Sequence, residues 1–378
     1  MVDLKKILTL AIQRGASDVH LKVGLPPILR IHGKLVPVTG EKRLMPEDTR
    51  EIAFSIMGER QKKKFELANE VDLAYGISGL GRFRVNIFSQ RDSIGLVLRT
   101  ISVNPPTIAE LNLPPILEKI AMEPRGLVLV TGTTGSGKST TLAAMVNHIN
   151  NNRNCHIITI EDPIEFLHRD KKAIINQREV GQDTQSFASA LRVALRQDPD
   201  VILVGEMRDL ETIETAILAA ETGHLVMSTL HTLDAQETVN RIIAVFPFQQ
   251  QRQIRLQLAG LLKGVISQRL LSRADGQGRI PAVEVMISTA RIRECIADES
   301  KTREIPEAIA QGYSTYGMQT FDQSIMDLFR RGLITYEEAL RNASNPDDFA
   351  LRVSGISATS DSRWRIGEET EEVRLKFD

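Results

Sequence analysis

The chain has 378 residues, of which 42% are hydrophobic and 25% charged, and its net charge is −1. This length and composition predict a globular protein with two or more domains. Because acidic and basic residues balance, no global positive field favours a nucleic-acid track. Cys155 and Cys295 lack a C-x-x-C spacing, so we expect neither a zinc site nor a disulfide and interpret both as semi-buried thiols.

Apolar runs in the chain are strand-sized and shorter than the roughly 18 residues that a membrane span needs. The opening residues, Met-Val-Asp-Leu-Lys-Lys, do not have the pattern of a signal peptide. We therefore expect a cytoplasmic protein with no direct membrane insertion.

The first hundred residues mix short helix and strand patterns. Apolar residues at helical spacing predict a helix that ends at Arg14-Gly15, and a second helix begins at Pro46. Together they predict a compact α+β module. Short strands are predicted at 17–21, 28–31, 34–38, 71–75, 81–88 and 94–99.

Two arginines alternate with apolar residues in the strand 81–88. Arg82 and Arg84 are expected on one face, with Phe83 and Val85 on the other. One interpretation is a sheet with a solvated face. The other is that the two guanidinium groups reach nucleotide phosphates as arginine fingers do.

A glycine-rich loop organises the middle of the chain. Residues 132–140 match G-x-x-x-x-G-K-[ST], after the apolar run 126–130 and before a helical pattern. Glycines let backbone N–H groups and the helix N-terminus face the β-phosphate of a nucleoside triphosphate. Lys138 is predicted to bind the β- and γ-phosphate oxygens and Ser139 to bind Mg²⁺. The predicted nucleotide-binding residues are Gly132, Thr133, Thr134, Gly135, Ser136, Gly137, Lys138, Ser139 and Thr140.

Apolar strands and helical patterns alternate after this loop. Since strands buried on both faces are joined by helices, we predict an α/β fold with a parallel sheet covered on each side, the P-loop NTPase architecture. The strands are predicted at 127–130, 156–160, 201–204 and 225–229, and the intervening helices at about 186–196 and 210–222.

Carboxylates follow two of these strands, at the edge where a parallel sheet places its chemistry. Glu206 follows the strand 201–204 and occupies the Walker B position, where an acid holds Mg²⁺ or its water. Because Glu is longer than the usual Asp, we expect Glu206 to act through a metal-bound water. The predicted metal ligands are Ser139 and Glu206.

Three acids follow the strand 156–160. Glu161 is the candidate for polarising the attacking water, Glu165 is the second candidate, and Asp162 lies between them. The alternative is that they stabilise the N-terminus of a helix.

Two histidines flank the strand 225–229. For His224, a structural role is as good an interpretation as a role in the site. His231 follows the carboxyl end of the strand, a position from which it can contact the γ-phosphate.

Five segments in this order resemble the motifs of the secretion-superfamily ATPases, and most closely those of type IV pilus retraction ATPases of the PilT type. The resemblance covers about residues 1–355. In family terms the segments include a Walker A loop, an Asp box, a Glu-bearing Walker B motif and a His box. They lie at 16–20, 130–141, 159–165, 205–209 and 224–231.

The resemblance implies a RecA-like ATPase core with ATP and Mg²⁺ as cofactors. It also implies a homohexameric ring in which a PAS-like N-terminal domain packs on the next subunit. By this resemblance Arg82 and Arg84 become candidate sensors of the nucleotide, followed by Arg91 and Arg99. An inner-membrane pilus platform protein and a paralogous retraction ATPase are the implied partners, at the pilus base. No nucleic-acid partner is expected.

The family comparison also bears on subtype. By the same resemblance, extension and secretion motors typically carry extra N-terminal domains and a tetracysteine zinc site, and we expect neither in this protein. The retraction family has an Ala-Ile-Arg-Asn-Leu-Ile-Arg-Glu segment, and the corresponding stretch 292–299 is acidic at the second basic position. An accessory paralogue of the PilU type is therefore an alternative.

We predict an ATP-hydrolysing motor for pilus retraction and twitching motility. One alternative is a DNA helicase or DNA-transport ATPase, which would show nucleic-acid-stimulated turnover; another is a regulatory subunit that binds ATP but hydrolyses it poorly. Trp364 is a weak candidate for a docking anchor. The predicted divisions are an N-terminal domain at 1–103, a linker at 104–115, the ATPase core at 116–289, a helical subdomain at 290–354 and a flexible tail at 355–378.

Overall fold

The computed structural model describes residues 2–355, which form two compact units. The first unit contains the residues up to 104 together with 164–168, and the second contains 105–163 and the described residues from 169 onward. The predicted tail from residue 356 and Trp364 lie outside the described residues. The five-part division predicted from the sequence stays a prediction.

The N-terminal unit is an α+β module, as the sequence predicts. Its six strands form one antiparallel sheet in the order β3-β2-β1-β6-β5-β4. Its helices are α1 (Leu4–Gln13), α2 (Pro46–Ile56) and α3 (Glu59–Ala68), and its strands are β1 (Asp18–Leu21), β2 (Ile28–Ile31), β3 (Lys34–Pro37), β4 (Glu70–Ile77), β5 (Gly81–Gln90) and β6 (Ser93–Ile101).

Alternation along β5 sorts its side chains onto two faces of this sheet. Phe83, Val85 and Ile87 are fully buried and join the apolar core of the unit. Arg84 is exposed, and it lies opposite Arg99 of β6 in the antiparallel register. The predicted separation of arginines from apolar residues is therefore confirmed.

The second unit contains a seven-stranded sheet in the order β13-β12-β7-β11-β10-β8-β9. All neighbours are parallel except β12 and β13, which form an antiparallel hairpin at one edge. The strands are β7 (Gly126–Thr131), β8 (His156–Glu161), β9 (Ile174–Glu179), β10 (Val201–Val204), β11 (Leu225–Leu230), β12 (Leu262–Ser272) and β13 (Arg279–Ile287).

Helices cover both faces of this sheet, which confirms the predicted α/β architecture. One apolar core contains residues of α6 to α11, and the opposite core contains residues of α4 and α5. The helices are α4 (Ile116–Ala121), α5 (Lys138–Asn152), α6 (Phe187–Ala194), α7 (Leu210–Glu221), α8 (Ala235–Ala244), α9 (Phe248–Leu261), α10 (Ala290–Ala297), α11 (Ile305–Gln311), α12 (Tyr313–Tyr316), α13 (Phe321–Arg330), α14 (Tyr336–Asn342) and α15 (Pro346–Val353), with a 3-10 helix at Glu299–Glu304.

Three details differ from the sequence predictions. Cys295 is fully buried rather than semi-buried, because α10 packs into the main core. The helix expected at about 186–196 is shorter, since Ser186 caps α6 through Ser189 N and the helix ends at Ala194. The edge strand β9 carries mostly polar, half-exposed residues, so the sequence has no apolar run there from which a strand could be predicted. None of the helices within residues 2–355 combines the length and hydrophobicity required of a membrane span.

Candidate nucleotide site

The loop at 132–140 connects β7 directly to α5, in the strand, loop and helix order that the pattern requires. Gly132, Gly135 and Gly137 have positive φ angles of 138°, 79° and 95°. At Gly132 an added Cβ would lie 2.5 Å from the carbonyl oxygen of Gln268. Glycine is therefore required at this position both by backbone conformation and by the close approach of β12.

Lys138 begins α5 and folds back over the loop. Its Nζ donates hydrogen bonds to the carbonyl oxygens of Gly132 at 2.9 Å and Thr133 at 3.0 Å. Only 8% of Lys138 is exposed, and this burial lowers the pKa of its ammonium group while the carboxylate of Glu206 raises it. The cation is thus held inside the curve of the loop.

The loop also contains a buried hydroxyl. Ser136 is 3% exposed, and its Oγ has no hydrogen-bond partner among the described residues. A buried polar atom of this kind normally finds a partner. With the Lys138 ammonium, the positive-φ glycines and the N-terminus of α5, the loop fits the phosphates of a nucleotide.

Glu206 lies just beyond β10, at the same edge of the sheet as the loop. Hydroxyl groups fix the backbone before it: Ser228 Oγ donates to the carbonyl oxygen of Val204 at 2.7 Å, and Thr229 Oγ1 donates to that of Gly205 at 2.7 Å. The carboxylate forms an ion pair with Arg208 Nε at 2.9 Å. A carboxylate is therefore fixed beside the Lys138 ammonium.

Glu161 ends β8, the strand next to β10. Its Oε1 accepts hydrogen bonds from Thr159 Oγ1 at 2.6 Å and from Gln177 Nε2 at 3.2 Å. A Cβ on Gly205 would lie 3.4 Å from the Glu161 Cα. The backbones at the ends of β8 and β10 are thus neighbours, and the Glu161 side chain is oriented by side chains of β8 and β9.

The two predicted histidines have different surroundings. His231 Nε2 lies 3.5 Å from Glu206 Oε2, in the loop after β11. His224 Nδ1 contacts the carbonyl oxygen of Ala219 at 2.8 Å and Thr222 Oγ1 at 3.2 Å, at the end of α7. His231 therefore lies beside Glu206, whereas His224 contacts the end of α7.

The remaining predicted site residues occupy other segments. Asp162 is exposed directly after β8. Glu165 lies in the segment 164–168, which packs with the N-terminal unit, and Arg82 and Arg84 lie on β5 of that unit. Their catalytic roles stay predictions.

Few side chains near the loop could bind Mg²⁺. Within the described part of the chain, no three or more His, Cys, Asp and Glu side chains are grouped to hold a metal. Mg²⁺ usually binds one or two protein groups together with phosphates and water. The hydroxyl of Ser139 and the carboxylate of Glu206 fit that requirement.

Two cavities border the loop. One, of about 690 Å³, is lined by Ser136, Gly137, Thr140, the 110–113 segment and the turn between β12 and β13. The other, of about 590 Å³, is lined by Thr134, Arg208 and His231. The first cavity is large enough to hold a nucleoside. The second lies beside Arg208 and His231, the two residues that contact Glu206.

Sequence reasoning missed Gln268, which packs against the loop from β12. It is 2% exposed, its carbonyl oxygen borders Gly132, and its Nε2 donates to Thr141 Oγ1 at 2.8 Å. No local pattern distinguishes Gln268, because its place beside the loop depends on the pairing of β12 with β7. Arg208 lies in the 205–209 motif, but the sequence pattern predicts no role for it.

Comparison with known families identifies relatives along nearly the whole chain. A family model described as type II/IV secretion system protein matches residues 1–341. The type IV pilus retraction ATPase PilT of Pseudomonas aeruginosa is 46% identical over 351 residues, which are 92% of this chain and 100% of that protein. The type IV pilus ATPase PilU of the same organism is 42% identical, over 96% of this chain and 94% of that protein.

A solved structure agrees with these matches. A crystal structure of the pilus retraction motor PilT with bound ADP superposes with a TM-score of 0.82 at 48% identity, covering 92% of this chain and 99% of that one. This similarity extends across the P-loop unit and the N-terminal unit alike.

Proposed function

The chain belongs to the type II/IV secretion system protein family and is a P-loop ATPase, and we propose that it is the motor that retracts type IV pili. The observation that carries the proposal is the meeting of Lys138, Glu206 and His231 at one edge of the parallel sheet. Support also comes from relatives that are matched over nearly their full length and are named for pilus retraction.

Binding of ATP is the first step. Backbone N–H groups of the loop and the Lys138 ammonium hold the β- and γ-phosphates, while Ser136 Oγ supplies a further donor. Ser139 and Glu206 would hold Mg²⁺, which when bound neutralises charge on the β- and γ-phosphate oxygens. The ion pair with Arg208 keeps the Glu206 carboxylate directed at this edge of the sheet.

Activation of water is assigned to the carboxylates. Glu161 is oriented at the end of β8 by hydrogen bonds from Thr159 and Gln177, and it is the candidate for polarising the attacking water. Asp162 and Glu165 are the alternative carboxylates. His231, beside Glu206, would contact the γ-phosphate and respond to its loss.

We infer that hydrolysis is shared between copies of the chain in a homohexameric ring. In such a ring the Arg82 and Arg84 guanidinium groups of one copy stabilise charge on the γ-phosphate bound to the next. Arg84 is exposed on β5 and Arg82 is half-buried, and an exposed guanidinium group is accessible to a neighbouring copy. The ring would act on an inner-membrane platform protein from the cytoplasmic side, at the pilus base.

Imaging of labelled pili tests this proposal. Deleting the gene should leave pili that extend without retracting, and the wild-type gene should restore retraction. Genes encoding Lys138→Ala or Glu206→Ala should not restore it. Normal retraction in the deletion strain would contradict the proposal.

An accessory role of the PilU type is a second candidate, favoured by the 42% identity to PilU over 96% of the chain. The same assay distinguishes the two roles. A primary motor restores retraction in cells that lack every other retraction ATPase, whereas an accessory protein restores it only beside a paralogue.

A further inference from the structure

A buried carboxyl group lies outside the residues assigned to hydrolysis. Glu284 is in the middle of β13 and is 6% exposed. Its Oε1 accepts a hydrogen bond of 2.9 Å from the backbone N–H of Ala235, the first residue of α8. The N–H groups of a first helical turn lack partners within the helix. Glu284 therefore supplies a partner from a distant strand.

The segment that Glu284 contacts follows His231. Thr232 Oγ1 lies 2.6 Å from Thr238 Oγ1. Leu233 N donates to Glu237 Oε2 at 2.7 Å, and Asp234 Oδ1 accepts from Glu237 N at 2.7 Å. These bonds join the loop to the first turn of α8 as one unit, and the bond to Glu284 fixes that unit to the sheet.

Glu284 also connects with the loop strand. It lies opposite Ser267 of β12 in the antiparallel register. Ser267 Oγ accepts a hydrogen bond of 2.9 Å from Thr131 Oγ1, and Thr131 is the last residue of β7, directly before the nucleotide loop. The start of α8 is thus linked to the strand before the loop through β13 and β12, in addition to the direct pairing of Leu230 of β11 with Thr131.

We propose that Glu284 is a positioning residue for ATP hydrolysis, which anchors the start of α8 and thereby holds His231 beside Glu206. The inference rests on the ATPase site described above. It requires neither pilus retraction nor the assignment of Arg82 and Arg84.

Charged groups on three elements surround the Glu284 carboxyl group. Burial raises its pKa to about 7; the hydrogen bond from Ala235 N opposes this shift, Asp234 adds to it, Arg269 opposes it and Asp322 adds to it. Loss of the proton near neutrality gives a carboxylate, which accepts a stronger hydrogen bond than the neutral acid does. The anchor therefore tightens as the pH rises through this range.

The kcat of the purified protein and of Glu284→Gln, measured from about pH 6 to about pH 8, tests the proposal. Gln keeps the acceptor but cannot ionise, so the variant should match the wild type at the low end and fall about 3- to 10-fold below it at the high end. All other titratable groups are shared, so the ratio of the two kcat values isolates Glu284. The exposed Glu221→Gln is the matched control and should follow the wild type throughout.

The donor can be removed as well. Ala235→Pro deletes the N–H that Glu284 accepts, at the first helical position, where proline is well tolerated. Because Glu284 then has no N–H to accept from at any pH, kcat should stay at its lower level and the inflection that depends on Glu284 should be lost. An unchanged inflection in this variant would contradict anchoring through Ala235.

Thermal unfolding measures the effect of Glu284 protonation on stability, independently of ATP hydrolysis. The raised pKa means that the stability contributed by the protonated group is lost as the pH rises through about 7. Glu284→Gln should gain stability relative to the wild type between about pH 5 and about pH 8. A Glu284→Gln protein with the wild-type kcat at every pH would overturn the positioning role, whereas an inactive wild type would contradict the ATPase site itself.

Discussion

His231 Nε2 lies 3.5 Å from Glu206 Oε2, although the two residues end different strands of the sheet. The second oxygen of Glu206 forms an ion pair with Arg208 Nε at 2.9 Å. The carboxylate is thus held from two sides, by an imidazole and by a guanidinium group. We therefore predict separate roles for two residues: Glu206 acts in hydrolysis, and Lys138 acts in phosphate binding.

That separation can be measured with two variants. Lys138→Ala should lose both nucleotide affinity and hydrolysis, because it removes the ammonium group that binds the phosphates. Glu206→Ala should still bind ATP but stop turnover. Titration with a fluorescent ATP analogue and a steady-state phosphate assay would check both, and a wild-type rate in Glu206→Ala would show that the Walker B assignment is wrong.

The two histidines provide a matched pair. His231→Ala should lower kcat about 100-fold, since it removes a polar group beside Glu206 at the γ-phosphate edge of the site. His224→Gln should leave kcat near normal and lower the free energy of unfolding by about 1 kcal/mol, because His224 contacts the end of α7. Equal losses of kcat in both variants would argue against a special role for His231.

Changing Arg82 and Arg84 together tests whether subunits share the reaction. If these groups reach a neighbour's γ-phosphate, the double Ala variant should bind ATP normally and show a kcat lower by about 10³. A solvated sheet face predicts near-normal turnover instead.

Mixing gives the control for that experiment. Rings that combine the double arginine variant with Glu206→Ala contain interfaces at which intact arginines face an intact carboxylate. Some activity should return once subunit exchange is confirmed by labelled protein. No recovery in confirmed mixed rings would contradict hydrolysis in trans.

Asp18 lies on the face of the N-terminal sheet that also carries Arg84 and Arg99. It is 5% exposed and accepts hydrogen bonds from Arg99 Nε at 2.9 Å and Ser17 Oγ at 2.8 Å. Burial raises the pKa of Asp18, whereas the hydrogen bonds from Ser17 and Arg99 lower it. The lowering effects together are larger, so the pKa is below its ordinary value. Asp18→Asn should lower the free energy of unfolding by about 1–3 kcal/mol at neutral pH.

The sign of the pH dependence follows from the lowered pKa. The stability from the ionised Asp18 is present above the unfolded pKa and is lost as the pH falls below about 4. Urea unfolding should therefore show a difference between the wild type and Asp18→Asn that shrinks toward about pH 3. The exposed Asp72→Asn, on the same face, should show a much smaller difference, and equal effects would contradict the role of burial.

The sequence by itself determined the local pieces of this protein. The glycine spacing and Lys138 predicted the nucleotide loop, because positive φ angles and a helix N-terminus leave a local pattern. Alternation predicted the two faces of β5, and apolar strands joined by helices predicted a parallel sheet. Glu206 and Glu161 were identified because an acid directly after a buried strand is also a local signal.

Only the tertiary structure decided which of these pieces meet. The strand order β7-β11-β10-β8 brings His231 and Glu206 to the loop, and neighbours in a sheet are chosen by non-local pairing that periodicity does not record. The packing of Gln268 against Gly132 and the bond of Glu284 to Ala235, 49 residues away, depend on the hairpin of β12 and β13. A buried glutamate in an apolar strand has no sequence signal for its partner, since that partner is a backbone N–H group presented by the fold.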